Sequence, residues 1–171
     1  MPRLLAALLA LPPLVACDTD SEAQCREAAA EAGILEIGTG EFTFTPVADG
    51  DRLAVNWGPQ GGQHIWGSLR ATGIVGETLN LDADMQPVVT FQIVADDETL
   101  AGYSATPRFF SRRDGSFELV GETLFVLYYS YDTGGGGGFG GFDGVEARMV
   151  ARVEDACGRV LTAERTVTLA D

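Results

Sequence analysis

Alternation of apolar and polar positions is clearest near the carboxyl end of the chain. Val145, Ala147, Met149, Ala151 and Val153 alternate with Glu146, Arg148, Val150, Arg152 and Glu154. After Asp155–Gly158 the pattern resumes. Leu161, Ala163, Arg165, Val167 and Leu169 fall on one side, and Val160, Thr162, Glu164, Thr166 and Thr168 on the other. A period of two sustained this long predicts a half-buried hairpin, Val145–Glu154 with Arg159–Leu169. Shorter runs predict strands over Ile34–Ile37, Glu41–Val47, Arg52–Trp57, His64–Ala71, Val88–Ala95, Thr99–Tyr103, Arg108–Ser111, Phe117–Val120 and Thr123–Tyr131. Asp49-Gly50-Asp51 is a turn signal, and Asp114-Gly115 is a hairpin-type turn. About seven to ten short strands at regular spacing predict an all-β, antiparallel β-sandwich. A closed barrel satisfies the same alternation.

Helical spacing is confined to the amino-terminal side of the strands. Glu22–Ala32 is alanine-rich and is followed by Gly33, a natural stop. Ser21-Glu22-Ala23-Gln24 has the form of a capping box, which predicts a short helix starting there.

Ahead of the helix, Met1-Pro2-Arg3 is a short positive start and Leu4–Leu11 an apolar run. Spanning a bilayer takes about 20 apolar residues, so this run is too short. It has the proportions of a signal-peptide core. The tetrapeptide Leu14-Val15-Ala16-Cys17 resembles the lipobox of bacterial lipoproteins. The resemblance implies cleavage before Cys17, a diacylglycerol on its sulfur and acylation of the new amino terminus. The chain then divides into a signal peptide over residues 1–16, a lipidated tether and helix over 17–33, and a sandwich domain over 34–171. The expected address is the bacterial cell envelope, with the membrane as one partner, held through palmitate-like chains. Lipid on Cys17 leaves Cys25 and Cys157 as an even pair, and an oxidising compartment favours a disulfide between them. Such a bridge would pin the helix to the final hairpin. That hairpin, with its D-x-x-G turn at Asp155–Gly158, resembles the closing strands of immunoglobulin-like bacterial modules, which implies an immunoglobulin-like sandwich.

Charge narrows the partners. There are 25 acidic residues against 11 basic ones, all arginine, for a formal charge of −14. Phosphate neutralisation needs a basic face, so nucleic acid is excluded as a partner.

Four motifs bear on chemistry. Gly136-x-Gly138-x-x-Gly141 matches a dinucleotide fingerprint in letters, but a strand follows it where a helix is required. Gly102-Tyr103-Ser104-Ala105-Thr106 begins like a nucleophile elbow, lacks the second glycine, and has no histidine paired with it by the sequence. Gly58-Pro59-Gln60-Gly61-Gly62-Gln63-His64-Ile65-Trp66 is the most distinctive segment. Together with its surroundings from Gly38 to about Arg70 it resembles a family of bacterial lipoproteins that brings no established activity. His64 is either a strand-start histidine or a metal ligand completed by carboxylates, for which Asp82-Ala83-Asp84 and Asp96-Asp97-Glu98 are the acidic turns at hand. Finally, the glycine-rich Thr133–Gly144 reads as a hairpin loop that carries Phe139 and Phe142.

These readings converge on a lipid-anchored envelope protein, not an enzyme, with a binding, adhesion or structural role and no cofactor. Its binding candidates are Gln60, His64, Trp66, Phe139 and Phe142. The expected partner is an envelope protein or a glycan. The alternative is a metal-binding exported protein that uses His64 and loop carboxylates.

Overall fold

The computed structural model describes residues 20–58, 61–75, 86–126 and 141–171, with backbone only for Asp20 and Ser21. One helix, α1 (Asp20–Ala30), precedes eleven strands among these residues. They are β1 (Ile34–Thr39), β2 (Thr45–Pro46), β3 (Asp51–Ala54), β4 (Asn56–Trp57), β5 (Gln63–Thr72), β6 (Val88–Ala95), β7 (Glu98–Pro107), β8 (Ser111–Arg113), β9 (Ser116–Phe125), β10 (Glu146–Glu154) and β11 (Val160–Ala170).

The strands form two sheets rather than a barrel. One has the order β2-β1-β5-β9-β8, with β4 also paired to β5; the other has the order β3-β11-β10-β6-β7. All pairs are antiparallel except β3 with β11. Strands β1-β5-β9-β8 reproduce the A-B-E-D sheet of an immunoglobulin-like sandwich, and β11-β10-β6-β7 its G-F-C-C′ sheet. The chain changes sheets between β1 and β3, as the first strand of such domains does. Among the described residues, a single bridge, Ala101 with Val126, joins the two sheets at one edge.

Inward side chains of both sheets make one core. Ile37, Ile65, Leu69, Phe91, Ile93, Leu124, Met149, Val153 and Leu169 are essentially inaccessible to water. The alternation along β10 is the expected one: Ala147, Met149, Ala151 and Val153 are buried, and Glu146 is exposed. Asp155–Gly158 closes the final hairpin, with the Gly158 N–H donating to the Asp155 carbonyl at 2.9 Å. Asp114 and Gly115 both have positive φ between paired Arg113 and Ser116, so the two-residue turn is of the primed type that matches strand twist.

Four expectations about elements are corrected. Glu41–Val47 is not a strand; only Thr45–Pro46 pairs, and the residues before it cross the outer face of the first sheet. There the Ser68 hydroxyl donates to the Gly40 carbonyl, and the Phe44 ring packs under the Arg70 guanidinium at 4.1 Å. Arg108–Ser111 is a connection to β8, and its apolar content is explained by Phe110, which enters the core. Phe117–Val120 and the start of Thr123–Tyr131 are one strand, β9, interrupted by a bulge opposite Ser68. Gly121 sits in that bulge at φ +76°, and the Glu41 carbonyl occupies the space a Cβ would need. Finally, α1 begins at Asp20, so Ser21 lies inside the first turn and not at the N-cap.

One seam between the sheets is closed by charge. Arg108 and Glu122 pair at 2.7 Å, and the Arg108 guanidinium lies 4.2 Å from the Tyr103 ring centre. Burial, reinforced by the neighbouring Glu122 carboxylate, pushes the Tyr103 hydroxyl well above its ordinary value near 10. The neutral phenol is therefore the form the fold favours. Its contribution to stability is complete below the ordinary tyrosine pKa and is lost as pH rises beyond it. In a phenolate absorbance titration, Tyr103 should contribute a lagging fraction that appears only as the domain unfolds. Tyr103→Phe should abolish that lagging fraction. A late fraction that is unchanged in Tyr103→Phe would contradict this assignment.

Candidate functional site

Two poles of the sandwich differ in what they carry. At one, β1 begins, β5 ends at Thr72, and the β10–β11 turn lies beside α1. Here Cys25 of α1 is disulfide-bonded to Cys157, with Cα atoms 5.6 Å apart. The bridge expected from the cysteine pair is therefore present. Arg159 adds a second hold. Its guanidinium donates to the carbonyls of Ala28 and Glu31 in and just after α1, and to that of Gly73 after β5. A cation on the last helical carbonyls also opposes the negative end of the helix dipole. Asp155, buried in the turn, accepts from the backbone N–H groups of Val75, Cys157 and Arg159 at 2.9–3.0 Å.

The opposite pole holds β4, the beginning of β5 and the end of β9. Asn56, His64 and Phe125 are direct cross-strand neighbours, so they share one face. It is the outer face, because Ile65 and Leu124, the next residues of their strands, point into the core. Trp66 and Thr123 form the adjacent row on the same face. Phe125 is 62% exposed, whereas His64 is 8% exposed beneath its neighbours. The His64 and Trp66 rings meet edge-to-face with centres 4.8 Å apart, at an interplanar angle of 81°. Among the described residues, the buried His64 Nε2 has no hydrogen-bond partner. The crossing segment that holds Gly40 over Ser68 bounds this surface on its inner side, and Phe42, 82% exposed, projects from that segment. What results is a small aromatic face on which exposed Phe125 and half-buried Trp66 stand beside a buried imidazole.

The sequence candidates are divided by this geometry. His64 and Trp66 come together. Gln60, Phe139 and Cys17 lie outside the described residues. Phe142 is a correction: it is 7% exposed and belongs to the core, so it is not a loop anchor for a partner. Its N–H donates to the Asp171 carboxylate at 3.0 Å, which seats the end of the glycine-rich segment against the terminus of the chain. Phe125, Asn56 and Thr123 were not singled out by sequence. Phe125 does stand in an aromatic-rich run, but the register that sets it beside His64 spans 61 residues of chain.

The other chemical motifs are placed as follows. Ser104 lies on β7 in the second sheet, where its hydroxyl accepts from Gln92 Nε2 at 2.8 Å; His64 is on the first sheet. Asp96 and Asp97, at φ +48° and +63°, make the two-residue turn between β6 and β7. Asp82 and Asp84 lie outside the described residues. Among the described residues, no three side chains of His, Cys, Asp or Glu converge as a metal-binding group.

No family model matches the chain, and no curated protein matches it. Among solved structures, the CooA pilin subunit from enterotoxigenic Escherichia coli is similar over 80% of this chain and 99% of its own, at 9% identity and a TM-score of 0.29. A likeness at that level carries no functional weight.

Proposed function

We propose that this chain is an exported, lipid-anchored envelope protein whose immunoglobulin-like head acts by binding rather than catalysis. The observation that carries the reading is the aromatic face that half-buried Trp66 and exposed Phe125 share, set at the pole opposite α1. The tether supports it. Only Asp18 and Thr19 separate Cys17 from α1, and three Cα steps of about 3.8 Å cannot exceed roughly 11 Å. Lipid on Cys17 would therefore hold the α1 pole close to the bilayer. Six steps separate Trp66 from Thr72 on β5 and eight separate Phe125 from Phe117 on β9, so at about 3.3 Å per residue the pair stands roughly 20–26 Å from that pole. The disulfide between Cys25 and Cys157 fits an oxidising, extracytoplasmic compartment.

Anchoring is tested on the full chain, expressed with its leader in a bacterium fed radiolabelled palmitate. The wild type should take up label and fractionate with membranes. Cys17→Ser should lose both, because stable attachment depends on the acyl chains, each buried methylene contributing about 0.8 kcal/mol. Equal labelling of the two proteins, or a mature wild type that still begins at Met1, would reject the anchor.

A further inference from the structure

We infer that the Cys25–Cys157 bridge is a redox-operated catch on the tether: opening it unwinds α1 as far as Ala28 and lets the head stand off the bilayer. The inference concerns how the anchored head is regulated, and it rests on the anchor proposed above.

What holds α1 differs along its length. Among the side chains described from Glu22 to Ala30, Ala28 alone is buried. A helix of 11 residues that packs so little is marginal by itself. Its hydrogen bonds to the head gather at the carboxyl end. Arg159 donates to the carbonyls of Ala28 and Glu31, and the Thr72 hydroxyl donates to that of Ala32. Before Ala28 the covalent tie is Cys25, bonded to Cys157. Breaking the S–S bond therefore frees the turns ahead of Ala28 and leaves the residues after it clamped.

The bond is placed for exchange. Both cysteines are partly exposed, and Gln24, Arg26, Ala156 and Gly158 beside them are exposed. The fitting reductant is a dithiol. One of its thiolates attacks a bridge sulfur to form a mixed disulfide, and its second thiol then closes on the first. The bridge takes up two electrons and two protons and becomes two cysteine thiols; the dithiol is oxidised to its own disulfide.

The change in reach is large. With the bridge closed, three Cα steps of roughly 11 Å in all separate Cys17 from the start of α1. With it open, the first clamped residue is Ala28, eleven positions beyond Cys17, and at about 3.3–3.6 Å per residue the tether spans up to roughly 36–40 Å. The gain of about 25 Å is as large as the distance from the α1 pole to Trp66 and Phe125.

Trypsin reads this directly. Arg26 is the only basic residue between Cys17 and Gly33, so the protease can cut that segment at one bond, Arg26–Glu27. The full chain, purified from membranes and reconstituted in phosphatidylcholine vesicles, is treated with trypsin in the absence of denaturant, with and without dithiothreitol. Fragments are scored after complete reduction, so that an intact bridge cannot hide a cut. Dithiothreitol should open the bridge and speed cleavage at Arg26 at least about tenfold, because proteolysis follows the population of the opened segment. The double variant Cys25→Ser/Cys157→Ser should be cut as fast without it. Hydrogen exchange should rise ahead of Ala28 while β10 and β11 stay protected, and adding Arg159→Gln should carry the rise on to Ala32. A bridge that resists dithiothreitol until denaturant is added overturns the inference. So does cleavage at one rate with the bridge open or closed, or loss of β10 protection together with that of α1. Palmitate-labelled protein whose Arg26 bond stays resistant would remove the catch and leave the anchor standing. A chain without palmitate whose Arg26 bond becomes cleavable on reduction would keep the unwinding and remove the anchor, and with it the change in reach.

Discussion

Replacing both Cys25 and Cys157 by serine should lower the unfolding free energy by about 4–5 kcal/mol, the loop-closure contribution of a bridge across so long a span. The two cysteines are 132 positions apart, so the bridge ties the start of the described chain to nearly its end. Most of the effect acts on the unfolded ensemble, which gains freedom when the link is lost. The folded state loses something more local. Helix α1 has 11 residues, a length at which isolated helices are marginal in water. Without the disulfide it keeps Ala28, which is buried, and the Arg159 contacts to the Ala28 and Glu31 carbonyls. Urea unfolding of the oxidised wild type and the double variant measures the total. Hydrogen exchange separates its parts: amides of α1 should exchange faster in the variant while those of β10 keep their relative order. A loss under about 1 kcal/mol would mean that the unfolded chain is already restrained without the bridge.

The parts of this fold that sequence reveals are those whose determinants are local. Strands β10 and β11 are legible because strict alternation and the Asp155–Gly158 turn fix both face and register. The turn at Asp114-Gly115 is legible because primed turns demand residues that tolerate positive φ. Features that depend on distant pairing are not. Strand β3 lies parallel to β11 more than a hundred residues later, with no connecting turn to announce it. Phe42 and Phe44 alternate like strand residues, yet they belong to a segment that crosses the first sheet, and Phe44 packs against Arg70 of β5. Phe142 looks like an exposed aromatic on a glycine-rich loop. The Asp171 carboxylate, 29 residues on, accepts its N–H, and the core takes its ring. The candidate site shows the same division. His64 and Trp66 are two apart on one strand, so their shared face is visible at once. Phe125 joins them only through the β5–β9 register, which the bulge at Gly121 shifts. A hydrophobic pattern carries no record of such a shift.

Asp155→Ala should destabilise the domain by about 3–5 kcal/mol, although it removes no apolar surface of consequence. Its carboxylate is buried, and it satisfies three backbone donors from two segments: Val75 after β5, and Cys157 and Arg159 in the β10–β11 turn. Each buried donor left without an acceptor costs about 1–3 kcal/mol, and a charged acceptor lies toward the upper end. Water can reach part of the turn, since Cys157 and Arg159 are only half-buried, which keeps the sum below three full penalties. Asp155→Asn separates shape from charge. One amide oxygen can still accept from Cys157 and Arg159, but the amide nitrogen would face the Val75 N–H, donor against donor. The asparagine variant should therefore lie between wild type and alanine, with hydrogen-exchange protection lost at Val75 and retained at Arg159. The same change should loosen α1, because Arg159 leaves the turn at the point that Asp155 organises and carries the helix carbonyls on its guanidinium. If both variants unfold at the wild-type urea midpoint, this carboxylate does not hold the turn, and the disulfide and Arg159 position the helix without it.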